Sequence, residues 1–331
     1  LGGLLMLVSF LGFYWANELW HYALVMLIYG FFWSAILPQY ETLTLSHIKD
    51  NMDIYSNMLL WGSTGFILLA TGLGWLFDYL SIQYLPAIMI IIMLLIVMNS
   101  LVLPAAENAD TETELTLPTE DKSGEDQSAP IIKQSRAVKI GIYSFLIINI
   151  LLQITHGPYY VFFTIYLQQF DYSNTTIGFL WSLGVLAEII LFWKISFFMH
   201  RWSLRELVIA SLFLTAIRWF ITAYFADNAA LLMFAQCLHA FSFALLHVVS
   251  ISYIGFFWPG KKRLHGQALY SGLGFGLGGA IGAGLAGLMW SAGANTGVSE
   301  NMVISSAAII ALVALVISYY GLPHSEQSAS Q

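Results

Sequence analysis

Residues 176–200 read TIGFLWSLGVLAEIILFWKISFFMH, from Thr176 to His200. The run is long and apolar enough to span a bilayer, because about 20 apolar residues cover a hydrocarbon core. A single carboxylate, Glu188, stands near its middle. An ionised side chain at that depth costs at least about 2.5 kcal/mol on insertion scales, so Glu188 is expected to face other helices or a water-filled cavity rather than lipid. Three further ionisable residues, Arg218, His239 and His247, fall at comparable depth in later apolar runs. Intramembrane groups of this kind mark solute, ion or proton paths.

The rest of the chain has the composition of a wall around such a path. Of 331 residues, 58% are hydrophobic and 9% charged, against about 25% charged in soluble domains. The net charge of -7 implies no nucleic-acid partner, since eight of the 19 acidic residues gather in one loop. Cys237 is the only cysteine, which excludes a disulfide framework and a cysteine-based metal site. Leu1 opens inside a hydrophobic run with no basic n-region, so the start is not a signal peptide but is expected to lie within a longer helical protein.

Apolar periodicity predicts ten helical spans: 1–16, 20–44, 58–79, 84–103, 139–167, 176–200, 206–226, 229–258, 267–290 and 302–320. The second is read as ending around Pro38 and Glu41, followed by a polar loop over Ser46–Asn57. Between the fourth and fifth spans, residues 104–138 carry eight Asp or Glu and no apolar run, which predicts a solvated, disordered linker. The domains expected are thus a four-span part over 1–103, the acidic linker over 104–138, a six-span part over 139–321 and a tail over 322–331. Alternate loops hold all the basic residues outside the spans: Lys49; Lys122, Lys133, Arg136 and Lys139; Arg201 and Arg205; Lys261, Lys262 and Arg263. The loops between them hold none, so the linker and C-terminus are expected in the cytoplasm.

Several residues are candidates for chemistry. Trp181, Gly184 and Glu188 share one helix face, placing an aromatic plate, a small residue and a carboxylate on one wall. Glu188 reads either as a proton carrier or as the structural partner of Arg218. Arg218 in turn reads as a clamp for a substrate carboxylate or as that partner. His239 and His247 are eight residues apart, about 80° of helical rotation, so both can border one cavity with Phe243 between them. His156–Gly157–Pro158–Tyr159–Tyr160 reads as a break in its span, with the two tyrosines placed to stack on a ring. Gln267 and Tyr270 are expected at the cytoplasmic gate, and Glu41 reads as a gate residue or a solvated helix end. The run Gly274-x-Gly276-x-x-Gly279 matches a dinucleotide fingerprint only formally, since it lies inside an apolar span. Gly274, Gly278 and Gly282 instead predict close helix approach. No cofactor and no metal is expected, and no nucleophile–base set suggests an enzyme.

Four spans, a linker and six spans would become two six-span halves if two helices preceded Leu1, which is the layout of major facilitator transporters. Residues 156–192, HGPYYVFFTIYLQQFDYSNTTIGFLWSLGVLAEIILF, resemble the phenylpropionate-permease group of the major facilitator superfamily. The resemblance continues through AIRWF at 216–220, QCLHAFSFALLHVVSISY at 236–253 and GQALYSGLGFGLGG at 266–279. The first half matches more loosely. Family members resemble D-Y-G-x-x-R-x-W-G-S before their fifth helix, where Ile54, Ser56 and Leu59 stand here in place of Asp, Gly and Arg, and Glu41 replaces an Asp.

The resemblance implies an all-α polytopic membrane protein with helices 3–12 of a major facilitator fold, in a bacterial inner membrane and acting as a monomer. It also implies proton-driven uptake of a small organic solute such as 3-phenylpropionate. Glu188, Arg218, His239 and His247 would then couple protons. His156, Tyr159, Tyr160, Trp181, Arg218, Phe243, Gln267 and Tyr270 would meet the solute. A sugar or nucleoside symporter, or a non-transporting sensor or transporter remnant, are the alternatives.

Overall fold

The computed structural model describes residues 1–48, 52–102, 136–296 and 299–323. In chain order the helices are α1 (Gly2–Leu11, extended by a 3-10 turn to Trp15), α2 (Leu19–Ile48), α3 (Met52–Phe77) and α4 (Leu85–Val102). After the linker come α5 (Arg136–Gln168), α6 (Asn174–Arg201), α7 (Leu204–Tyr224), α8 (Ala229–Cys237) and α9 (Leu246–Phe257). The last are α10 (Arg263–Leu269), α11 (Gly279–Thr296) and α12 (Glu300–Gly321). α8 and α9 form one span through a π turn at Phe241–Leu245, and α10 and α11 form another through a nine-residue π segment at Tyr270–Gly278. Seven helices among the described residues are long and apolar enough to cross a membrane, and three shorter ones are apolar. This is a multi-pass membrane protein.

Two sequence expectations are corrected here. The polar stretch 46–57 is not a loop throughout: α2 runs through Pro38 to Ile48 and α3 begins at Met52. Polarity alone does not end a helix where no glycine or further proline breaks it. Nor does the His156–Pro158 segment break its span, because α5 continues through Pro158 to Gln168. Proline leaves the carbonyl four residues earlier without its helical donor. Here that carbonyl, on Ile154, lies against Gly282 of α11, where an added Cβ would come within 2.6 Å of it. A Cβ on Gly157 would likewise meet the Gly282 carbonyl carbon at 2.1 Å. The two helices therefore touch backbone to backbone, which the expected small-residue face of α11 allows.

The chain divides into two compact units, Leu1–Gly65 with Tyr79–Gln127 and Phe66–Asp78 with Ser128–Gln331. In the first, α1 packs on α2 and α4 around Met6, Phe10, Ile36 and Met93. In the second, α6 packs on α8 and its π turn, these on α7, α7 on α12, α12 on α5, and α5 on α11. The C-terminal part of α3 also belongs to the second unit and crosses α6. A Cβ on Gly178 would lie 2.2 Å from the Ala70 carbonyl oxygen, and Thr71 Oγ1 and Ser182 Oγ are 2.9 Å apart. At the end of that crossing the Asp78 carboxylate accepts from the Asn174 N–H at 2.6 Å, the Thr175 N–H at 3.1 Å and the Thr175 hydroxyl at 2.5 Å. α7 begins with a capping box, Ser203 and Glu206 each accepting from the other's backbone N–H.

Candidate functional site

The second unit holds two large apolar cores, one around Leu212, Tyr253 and Ile254 and the other around Phe163, Leu180 and Leu232. Buried polar side chains from three spans lie alongside them. α7 supplies Thr215 and Arg218, α5 supplies His156, α8 supplies Gln236, and the start of the π turn supplies His239 and Ser242; all are buried. An amphipathic surface helix would not bury such residues, so their position marks the site.

A cavity of about 530 Å³ opens beside them, lined by Phe66, Ala70, Tyr159, Tyr160, Trp181, Val185, Glu188, His239 and Phe243. Its walls are mainly aromatic. The Tyr159 and Trp181 ring centroids are 4.4 Å apart, Tyr160 stacks near Trp181 at 6.4 Å, and His239 stacks on Phe243 at 5.5 Å. Glu188 Oε1 lies 2.9 Å from His239 Nε2. Gly184 makes this contact possible: a Cβ there would press on the His239 ring at 3.2 Å. The face predicted to carry Trp181, Gly184 and Glu188 thus meets the α8–α9 span.

Arg218 does not pair with Glu188. It is fully buried, with its Cζ 4.0 Å from the Trp219 ring centroid and 4.5 Å from that of Tyr159, and Nη1 donates to Ser242 Oγ at 2.9 Å. Two aromatic faces stabilise a desolvated guanidinium in place of a carboxylate. Tyr159 donates its hydroxyl to Gln236 Oε1 at 3.0 Å; its ring touches Arg218 and lines the cavity, which Arg218 does not. His156 is also fully buried, its Nδ1 2.9 Å from the Leu152 carbonyl oxygen, and it does not line the cavity.

His247 is separated from His239 by the π turn, which inserts a residue into the helical register. The 80° offset read from an unbroken helix therefore does not describe the pair. His247 does not line the Glu188 cavity; its Nδ1 lies 2.9 Å from Tyr270 Oη, with Phe275 nearby. In the same region Ser250 donates to Asn149 Oδ1 at 3.0 Å. The predicted residues thus form two clusters, Glu188 with His239, Phe243, Tyr159, Tyr160 and Trp181, and His247 with Tyr270. Gln267 is half-buried, and the Glu41 side chain lies outside the described residues.

Phe66, Ala70 and Gln236 were not singled out in the sequence. Gln236 had a signal, being an amide inside an apolar span. Phe66 and Ala70 had none, because an ordinary apolar residue in α3 gives no hint that it faces α6.

A family model described as the MFS_1 like family matches residues 1–298. A probable 3-phenylpropionic acid transporter of Escherichia coli (strain K12) is 29% identical over 271 residues, 80% of this chain. The matched region spans 66% of that relative's length, just under two thirds. The crystal structure of the nucleoside transporter NupG covers 96% of this chain and 80% of its own at a TM-score of 0.75, with 16% identity; a mutant of the same transporter scores 0.73. At that identity the likeness shows the fold alone, which is the major facilitator fold. The chain belongs to the MFS_1 like family.

Proposed function

We propose that the chain forms the transport core of a proton-coupled importer of small aromatic carboxylates. The observation that carries this reading is the Glu188–His239 contact of 2.9 Å on the wall of an aromatic-lined cavity. A carboxylate and an imidazole at that distance share one proton, and cavity access decides with which side they exchange it. Trp181, Tyr160 and Phe243 offer ring faces for the solute, and Arg218 offers the positive charge that an organic anion needs in an apolar setting. His247 and Tyr270 give a second polar station, placed in this reading toward the cytoplasmic mouth, with Gln267 and Glu41 beside the gate. The similarity to a probable 3-phenylpropionic acid transporter of Escherichia coli favours this substrate class.

Basic residues in alternate loops support a reading with residues 104–138 and the C-terminus in the cytoplasm of a bacterial inner-membrane protein. The halves in this reading are 1–103 and 139–321, with 322–331 as a tail, and the protein works as a monomer. Uptake of labelled 3-phenylpropionate into cells expressing the full gene tests the proposal. Uptake should be protonophore-sensitive in the parent and lost in Glu188→Gln. Protonophore-insensitive uptake, or uptake unchanged by the substitution, would remove Glu188 from the coupling step.

A further inference from the structure

The Arg218 guanidinium has one used edge and one free edge. Nη1 donates to Ser242, whereas Nε and Nη2 have no hydrogen-bond partner among the described residues. The Nε–H and Nη2–H bonds lie side by side in the guanidinium plane, and together they hold the two oxygens of one carboxylate. Gln236 Nε2 and Trp219 Nε1 are likewise buried donors without a partner among the described residues. Unpaired buried donors are rare, because each loses its hydration and regains nothing. All of these groups surround one ring, that of Tyr159. Its ring carries the Arg218 charge, its hydroxyl is held by Gln236, and its centroid is 5.4 Å from that of Trp219. Tyr159 is itself almost fully buried yet lines the cavity, whereas Arg218 does not.

We propose that Tyr159 is a shutter over a concealed carboxylate subsite. With its hydroxyl on Gln236, the ring closes the Nε/Nη2 edge of Arg218 off from the cavity. When the ring turns away, a carboxylate takes that edge and the body of the solute stays between Trp181 and Phe243. Closure leaves the cation held by ring faces instead of bare, so an empty site does not carry a naked charge. Opening exchanges a neutral hydrogen bond and a ring contact for a bidentate ion pair away from water. Only an anion supplies that exchange, so the shutter selects acids over neutral aromatics of the same shape. The identity of the anion rests on the proposed function; the shutter itself does not.

Labelling with phenylglyoxal, an arginine-directed reagent, tests this on the purified full chain, with modification of Arg218 read by mass spectrometry. Tyr159→Phe keeps the ring and removes the latch, and Gln236→Leu removes the same latch from the other side. Both should raise Arg218 labelling about five-fold over the parent, the factor set by losing one neutral hydrogen bond. Two variants in different helices guard against a local folding defect in either. Equal labelling of Arg218 in all three proteins overturns the shutter. 3-Phenylpropionate should protect Arg218 in the variants, and the neutral 3-phenylpropanol should not. Raised labelling that neither compound suppresses keeps the shutter and overturns the aromatic-carboxylate reading. Equal protection by both compounds overturns the selectivity assigned to it.

Discussion

The two units fill their interiors in opposite ways. Among the described residues of the first, the buried cluster is Met6, Leu7, Phe10, Ile36 and Met93, all apolar. The second buries Arg218, His156, Gln236, Thr215 and Ser242 completely, beside two larger, mainly hydrophobic cores. An apolar interior holds helices together at no desolvation cost. A polar one costs stability wherever a donor stays unpaired, as at Arg218 Nε and Gln236 Nε2. That cost points to chemistry in the second unit and to scaffolding in the described part of the first. Substitutions at the buried polar groups of the second unit should therefore change coupling and selectivity, and those in the apolar interior of either unit should change only stability.

The largest effect is expected at Glu188. Glu188→Gln keeps the shape and a hydrogen bond to His239 but cannot exchange a proton. Accumulation of solute against its gradient should fall by about 100-fold or more, the usual weight of a positioned proton-transfer group. Solute exchange between two loaded sides needs no net proton movement and should survive. If exchange and accumulation fall together, the residue serves packing and the contrast between the units weakens.

The next effect is structural and belongs to the second unit's backbone contact. Gly282→Val places two methyl groups where the Ile154 carbonyl already lies within 2.6 Å of an added Cβ. α5 and α11 would have to separate, a strain of about 1–3 kcal/mol or more. Folded protein recovered in detergent should drop sharply, measured by size-exclusion chromatography. Gly284→Val, on another face of the same helix with nothing within 4 Å, should be recovered like the parent.

Phe10→Ala probes the other side of the comparison. Phe10 is 3% exposed in the first unit's core and meets Tyr29 edge to face at 5.5 Å. Its removal should cost about 3–5 kcal/mol, as for a buried phenylalanine elsewhere. The thermal midpoint should fall while the ratio of protonophore-sensitive to total uptake in the surviving protein stays that of the parent. A changed ratio would carry the chemistry into the first unit as well.

How far the sequence revealed these features depends on the physics behind each. Span positions were legible because hydropathy averages over about 20 residues and tolerates local error. Glu188, Arg218 and His239 were legible because a polar group in an apolar span is costly and therefore conspicuous. Their pairing was not. Arg218 was a candidate partner for Glu188 on charge alone, but two ring faces and Ser242 hold it instead, while His239 takes the carboxylate. The π turn at Phe241–Leu245 and the continuity of α5 through Pro158 depend on neighbours rather than on local sequence. The Phe66 and Ala70 wall needed the α3–α6 crossing, which no periodicity encodes.

The smallest effect is expected at Asp78, outside the spans. The Thr175 hydroxyl, and then the Thr175 and Asn174 backbone N–H groups, hold its carboxyl below the usual carboxylate range. A depressed value means that the carboxylate stabilises this helix end above the ordinary Asp titration near about 3.9 and loses that role only as pH falls through the lower value. Hydrogen exchange at the start of α6, corrected for intrinsic rates, should therefore be flat from neutral to mildly acidic pH. It should rise only in strong acid. Asp78→Asn removes the charge from the positive end of α6 and keeps one acceptor, so exchange there should rise about two- to five-fold at every pH. A rise already at mildly acidic pH in the parent would mean that another group, not Asp78, fastens α3 to α6. Because Asp78 lies far along the crossing from Glu188, its loss should leave the protonophore-sensitive fraction of uptake unchanged, and that separates a fastening of the scaffold from the chemistry of the cavity.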